Sequence, residues 1–196
     1  FVIPGLVMMN MMTSAFAHTS SSVYFAKWIR SIDEILVAPF SYFEMILGFM
    51  AGGVTRAVIV GLGVYILGIF FTSASIAHFW LMLFYIISIS TIFSFLGMLV
   101  ALWSKNFEQL SVPSIFLITP LTFLGGVFNS IYMMPAGLQW IVRINPFFYF
   151  VDGLRCSMIG VCESSFGIGL GIITALILGL GYLVWYLFKI GWRIRE

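Results

Sequence analysis

The chain predicts an all-α, polytopic membrane helix bundle, and three observations carry that reading. Of its 196 residues, 62% are hydrophobic and only 8% charged, with a mean hydropathy of +1.12. A soluble domain carries roughly 25% charged residues and at most about half apolar ones, so these few polar side chains could not cover a core. The apolar residues also fall in uncharged runs long enough to cross a bilayer, which takes about 20 residues in a helix. Within two of those runs, small residues recur at helical spacing, the pattern that lets helices approach closely in lipid. A soluble globular domain and a disordered chain are both excluded. The net charge is +2 with no Lys/Arg-rich stretch, so nothing supports nucleic-acid binding.

The first uncharged run ends at Lys27 and predicts a span over about 1–24. It opens on Phe1 without a basic stretch or cleavage site, so it is not a signal peptide. The missing start Met leads us to expect a first helix lost ahead of it. A second span is predicted over 44–71, interrupted only by Arg56. From 57 to 104 there is no charge, and the polar break Thr72-Ser73-Ala74-Ser75 sets off a third span at 79–103. The run 110–142 holds Pro113, Pro120, Gly125-Gly126 and Pro135 and is too long for one span at about 1.5 Å per residue. It reads as a span over 110–128 followed by irregular or re-entrant structure. The last span covers 165–189. The whole chain, 1–196, is thus expected to form one transmembrane domain with five spans and a helical segment at 129–164.

Basic residues set the orientation. Lys27, Arg30, Lys105, Lys189, Arg193 and Arg195 fall on one side of a five-span chain, against Arg143 and Arg155 on the other. The tail is therefore expected in the cytoplasm and segment 129–164 outside. An odd count with an outside start agrees with a missing first helix.

Segment 26–44 contains two capping boxes, Ser31-x-x-Glu34 and Ser41-x-x-Glu44, in which serine and glutamate each satisfy an orphan backbone N–H at a helix start. Asp33 adds favourable charge at the first of these. Pro39 stops that helix, predicting a short cytoplasmic helix at 31–38 with Ile32, Ile35 and Leu36 on one face. It reads either as an interfacial helix on the headgroups or as a docking knob for a soluble partner. Arg56, about 18 Å along the second span from Glu44 at ~1.5 Å per residue, should face a partner or water. It reads as a pathway residue or as a structural arginine bonded to carbonyls, with no acid evident at its depth. Gly48, Gly52, Gly53, Ala57 and Gly61 line the second span, and Gly167, Gly171, Ala175 and Gly179 line the last. Both rows predict packing, within the bundle or between protomers.

In segment 129–164, Asn145-Pro146 predicts a helix start, with Asn as N-cap and Pro at the first position. Asp152 and Arg155 can pair at i, i+3. The segment reads as an external cap or gate, or as an inert interfacial helix. Cys156 and Cys162 match neither a metal nor a redox spacing. They read as two inert thiols, or as a disulfide if they face an oxidising compartment. No G-x-x-x-x-G-K-[ST], H-E-x-x-H or G-x-S-x-G occurs, so no ATP site, zinc protease or hydrolase is indicated in this chain. His18 and His78 read as packing or interfacial residues.

The stretches TPLTFLGGVFNSIYMMP (119–135) and INPFFYFVDGLR (144–155) resemble the signature of ABC-2-type transporter permeases. FVIPGLVMMN (1–10), AKWIRSIDEILVAP (26–39) and GGVTRA (52–57) resemble their bacterial YadH-like and NodJ-like branch, so the likeness runs along essentially the whole chain. The resemblance implies six membrane helices, the first absent here, and a homodimer in the bacterial inner membrane. It implies two separate ATP-hydrolysing subunits that hold ATP and Mg, with no cofactor on this chain. The family's coupling helix falls at 31–38 and its external re-entrant helices at 131–158. Arg56 fits a Gly-Gly-x-x-Arg pattern to which the resemblance gives no role.

The expectation is therefore an export permease, not an enzyme. Lys27, Arg30, Ser31, Ile32, Asp33, Glu34, Ile35 and Leu36 would dock and couple the ATPase. Gly125, Gly126, Asn145 and Pro146 would shape the external gate, and Arg56 is the intramembrane polar residue. The substrate would be amphipathic, lipid-linked, glycan or drug-like. The competing reading is a nucleotide-independent secondary carrier or membrane scaffold, which should show inverted repeats.

Overall fold

The computed structural model describes residues 2–29, 41–71, 77–133 and 135–192, and among them all regular structure is helical. The helices are α1 (Val2–Trp28), α2 (Tyr42–Phe71), α3 (Phe79–Trp103), α4 (Phe107–Leu124), α5 (Ala136–Ile144), α6 (Pro146–Ile159) and α7 (Phe166–Ile190), with a 3-10 turn at Ile131–Met133. Helices α2, α3, α4 and α7 are long and apolar enough to cross a membrane. Their outward side chains suit lipid: Ile59 is 64% exposed, Phe116 76% and Leu178 68%. α1 has the length, but Asn10, Thr13, Ser14, His18 and three further serines dilute its apolar content.

Small residues set how α1 is held. α2 runs antiparallel to it, with Gly68 over Ile3, Gly61 over Met11 and Gly53 against Thr19. From the opposite side, Gly97 of α3 meets the α1 backbone, and a Cβ there would lie 2.7 Å from the Phe16 carbonyl oxygen. α1 is therefore clasped between glycines, with Met8, Met12, Ala15 and Phe16 fully buried. From Gly52 to Gly61 the small row of α2 thus packs inside the bundle, while Gly48 is open. The row on α7 does not, because Cβ atoms at Gly167, Gly171 and Gly179 would meet nothing within 4 Å.

Helix ends follow local chemistry. At α2, Ser41 N–H donates to Glu44 Oε2 (2.8 Å) and Glu44 N–H to Ser41 Oγ (3.3 Å), the reciprocal capping box. α4 starts at Phe107 rather than 110, where the Phe107 ring packs on Tyr24 of α1 with centroids 4.6 Å apart. It continues through Pro113 by widening to a π-helical stretch at Ser114–Ile118. A prolyl ring crowds the i−4 carbonyl of an ordinary α-turn, and this wide turn comes just before Pro120. Ser114 O accepts from both the Thr119 N–H and, at 2.8 Å, the Thr119 hydroxyl. The helix stops at Leu124, short of the expected 128, because Gly125 caps it and Gly126 turns at φ 82°.

α6 lies back along the first half of α3. His78 N–H donates to Ser157 O (2.8 Å), and the Phe93 and Phe147 rings pack edge-on with centroids 5.4 Å apart. The chain after α4 thus returns to mid-bundle depth before α6 leads it out again.

Candidate functional site

The residues between α4 and α7 converge on one junction. Asn145 caps α6 as its sequence predicts, with Oδ1 accepting from Phe147 N–H at 3.0 Å, and its Nδ2 donates to Leu121 O at 2.7 Å. Gly125 lies against the α6 backbone, where a Cβ would be 3.2 Å from the Phe147 carbonyl carbon. Gly126 O accepts from Arg155 Nη2 at 2.5 Å. Gly125, Gly126, Asn145 and Pro146 therefore meet at the joint between α4 and α6.

Apart from the exposed Arg143, the charged side chains of this segment, Asp152, Arg155 and Glu163, are buried and bonded to one another or to nearby residues. Asp152, 2% exposed, accepts from Glu163 N–H, Ser164 N–H and the Ser164 hydroxyl at 2.9, 2.8 and 2.5 Å. Arg155, 1% exposed, also lies 3.9 Å from Glu163 Oε1, and Glu163 Oε2 accepts from Ile131 N–H at 3.0 Å. Burial pushes the pKa of Arg155 down, while the carboxylates of Glu163 and Asp152 push it up. The expected i, i+3 proximity of Asp152 and Arg155 is present electrostatically, while Asp152 accepts from Glu163 and Ser164 and Arg155 donates to the Gly126 carbonyl. Glu163, which sequence reasoning passed over, is the acid that joins Arg155 to Ile131. Replacing Asp152 by Ala strands three donors in a closed site, so we expect a loss of about 3 kcal/mol. Thermal unfolding in detergent checks it, with Asp152→Asn recovering part of the loss.

Cys156 and Cys162 form a disulfide, so the reading as inert thiols is corrected. The reason is local. α6 ends at Gly160 with φ 77°, whose N–H caps Cys156 O, and this turn folds Cys162 back over Cys156.

The second place of interest is the outward face of α1. Asn10, Thr13, Ser14, Ala17 and Ser21 lie on it, none of them buried. Asn10 Nδ2, the Thr13 hydroxyl and the Ser21 hydroxyl bond to their own helix at 2.8, 2.9 and 2.7 Å. At its edge, Arg56 of α2 is exposed, and Nη1 lies 3.4 Å from Nδ1 of His18. Gly52 makes room for that imidazole, since a Cβ there would sit 3.0 Å from Nε2. Sequence reasoning missed the pairing because the partners are 38 residues apart on antiparallel helices. His78 is exposed at the start of α3.

A small apolar cavity lies between α1, α2, α3 and α6, lined by Val7, Met11, Val58, Gly61, Met82 and Met158 among others. It has no polar group to orient a ligand and so does not fit a substrate site. Among the described residues no group of His, Cys, Asp and Glu could hold a metal ion. The coupling residues Arg30, Ser31, Ile32, Asp33, Glu34, Ile35 and Leu36 lie outside the described residues, as does the first capping box. Lys27 is described and half-buried near the end of α1.

The model of the ABC-2 type transporter family matches residues 1–159, most of the chain. The chain belongs to the ABC-2 type transporter family. It is 33% identical to "Inner membrane transport permease YadH" of Escherichia coli (strain K12) over 197 aligned residues, covering 100% of this chain and 77% of that protein. It is 25% identical to "Nodulation protein J" of Rhizobium leguminosarum bv. viciae, over 88% of this chain and 67% of that one. A third relative, "Probable multidrug ABC transporter permease YbhR" of Escherichia coli (strain K12), is 22% identical over 78% of this chain and 42% of its own. The ABC-2 resemblance seen in the sequence is thereby shown, and the chain is a membrane transport permease by family.

Proposed function

We propose that this chain is the membrane permease subunit of an ATP-driven exporter, moving its substrate out across the bacterial inner membrane. The observation that carries the reading is the polar face of α1 with Arg56 at its edge. Lipid is a poor cover for an arginine at mid-helix, where exposure costs at least about 2.5–3.5 kcal/mol, so protein or water covers it instead. In a chain related to transport permeases, that surface is a translocation path between two protomers. α1 is then a fifth span, tolerated despite its polar residues because only its buried face meets the other helices.

ATP binding on a separate ATPase subunit would act on segment 31–38 through Lys27, Arg30, Ser31, Asp33 and Glu34, with Ile32, Ile35 and Leu36 seated in that subunit. ATP and Mg belong to the partner. The motion biases two global states differently, and the joint of Gly125, Gly126, Asn145 and Pro146 opens and closes the outer side. An amphipathic, lipid-linked, glycan or drug-like substrate fits a path with few formal charges.

The orientation has two supports. Basic residues favour a cytoplasmic tail, and a disulfide at Cys156–Cys162 belongs to an oxidising compartment, hence the periplasm. In intact cells, a membrane-impermeant maleimide added after reduction should label both cysteines, and a cysteine placed at Gly191 should stay unlabelled. The reverse pattern inverts the topology.

The function is tested by purifying the tagged permease from its native membranes. An ATPase subunit carrying a P-loop should co-purify, and its ATP turnover should respond to the permease. A permease that purifies alone and transports without nucleotide would instead support a secondary carrier.

A further inference from the structure

Arg56 sits midway along α2, about 20 Å from either end at ~1.5 Å per residue. A guanidinium only donates, so in its contact with His18 the imidazole Nδ1 is the acceptor. The histidine is then neutral, with its proton on Nε2, and the pair carries one net positive charge. The carboxylates of the described residues lie elsewhere. Glu44 and Glu108 stand at the starts of α2 and α4, while Asp152 and Glu163 are engaged in the cap. Among the described residues the ion pair present is Arg155–Glu163, so Arg56 has no carboxylate partner there.

The neighbourhood offers room but no counter-charge. Thr55 and Ile59 are exposed beside Arg56 on α2, and Cβ atoms at Gly48 and Gly63 of that helix would meet nothing within 4 Å. On α1, the Ser21 hydroxyl is committed to its own backbone and Ala17 is open. A guanidinium held by one neutral partner keeps its planar fork for an oxyanion, which it binds in two parallel hydrogen bonds. In a medium of low dielectric such a pair is strong, and it removes the uncompensated charge.

We propose that Arg56, positioned by His18, binds the anionic head of an amphiphilic substrate, a phosphate-type oxyanion whose alkyl part lies along the apolar side chains flanking it, such as Ile59. The inference rests on the translocation-path reading of the α1 face and narrows the substrate class. It is independent of whether an ATPase drives the path.

The test uses the full-length permease, with whatever subunits accompany it, in nanodiscs of phosphatidylcholine. Dodecyl phosphate should bind at least tenfold more tightly than dodecanol or inorganic phosphate. Arg56→Gln should abolish that preference, Arg56→Lys should keep part of it, and Lys105→Gln, at the end of the bundle, should leave it unchanged. In the unaltered protein, dodecyl phosphate but not dodecanol should protect Arg56 from phenylglyoxal, read by mass spectrometry, which covers the case that Arg56→Gln fails to fold. Equal binding by Arg56→Gln overturns the proposal. Inorganic phosphate binding as well as the amphiphile overturns it too, as does an Arg56 that phenylglyoxal cannot reach because a second copy of the chain already covers it. Because the readout is binding, loss of ATPase co-purification would overturn the exporter reading and leave this result standing.

Discussion

Gly97→Leu is expected to prevent the bundle from assembling. A Cβ at position 97 would lie 2.7 Å from Phe16 O and 3.1 Å from Ser20 N, both backbone atoms of α1. Backbone cannot rotate aside as a side chain can, so α1 and α3 would have to separate. Separation also opens the core around Phe16 and Phe93, both fully buried. Overpacking alone costs roughly 1–3 kcal/mol and occasionally more, and parting two helices puts this case at or above the upper end. Membrane-inserted yield and thermal stability should both fall sharply. Gly171→Leu is the matched control, since a Cβ there meets nothing within 4 Å, and its unfolding temperature should stay near that of the parent. If Gly97→Leu matches the parent instead, the close crossing of α1 and α3 is wrong.

The second large effect concerns coupling. Ile35→Glu combined with Leu36→Glu should abolish permease-dependent ATP turnover while leaving the membrane bundle intact. On the helix expected from the sequence the two residues would share a face with Ile32, and two carboxylates there could not be desolvated in a partner's apolar pocket without a cost of several kcal/mol. ATP hydrolysis of the reconstituted complex is the measurement, with permease abundance as the control. Full turnover in the double variant would remove segment 31–38 from the coupling path.

What the sequence made legible was chiefly local. The Ser41–Glu44 box and the Asn145–Pro146 helix start depend on atoms within four residues of each other, and both appear with the expected donors and acceptors. The packing row of α2 was readable because small residues at helical spacing have a direct steric meaning. Features set by distant partners were not. The pairing of His18 with Arg56 depends on the antiparallel register of two helices. The start of α4 at Phe107 depends on an aromatic contact with Tyr24, and α7 shows a small row like that of α2 although none of the described helices covers it. Closure of Cys156–Cys162 needed the left-handed turn at Gly160, whose geometry no spacing rule encodes. Among candidate site residues, the joint of Gly125, Gly126, Asn145 and Pro146 came together because three of them punctuate helix ends.

The central place of α1 bears on how the protein is made. This helix leaves the ribosome ahead of α2 and α3, yet it is the long helix with the weakest claim on lipid, and its burial comes from glycines that follow it in the chain. Partitioning from the translocon into the bilayer is therefore poorly rewarded until those later helices arrive. Biogenesis should proceed by delayed release, with α1 retained beside the insertion machinery and handed over together with its two neighbours.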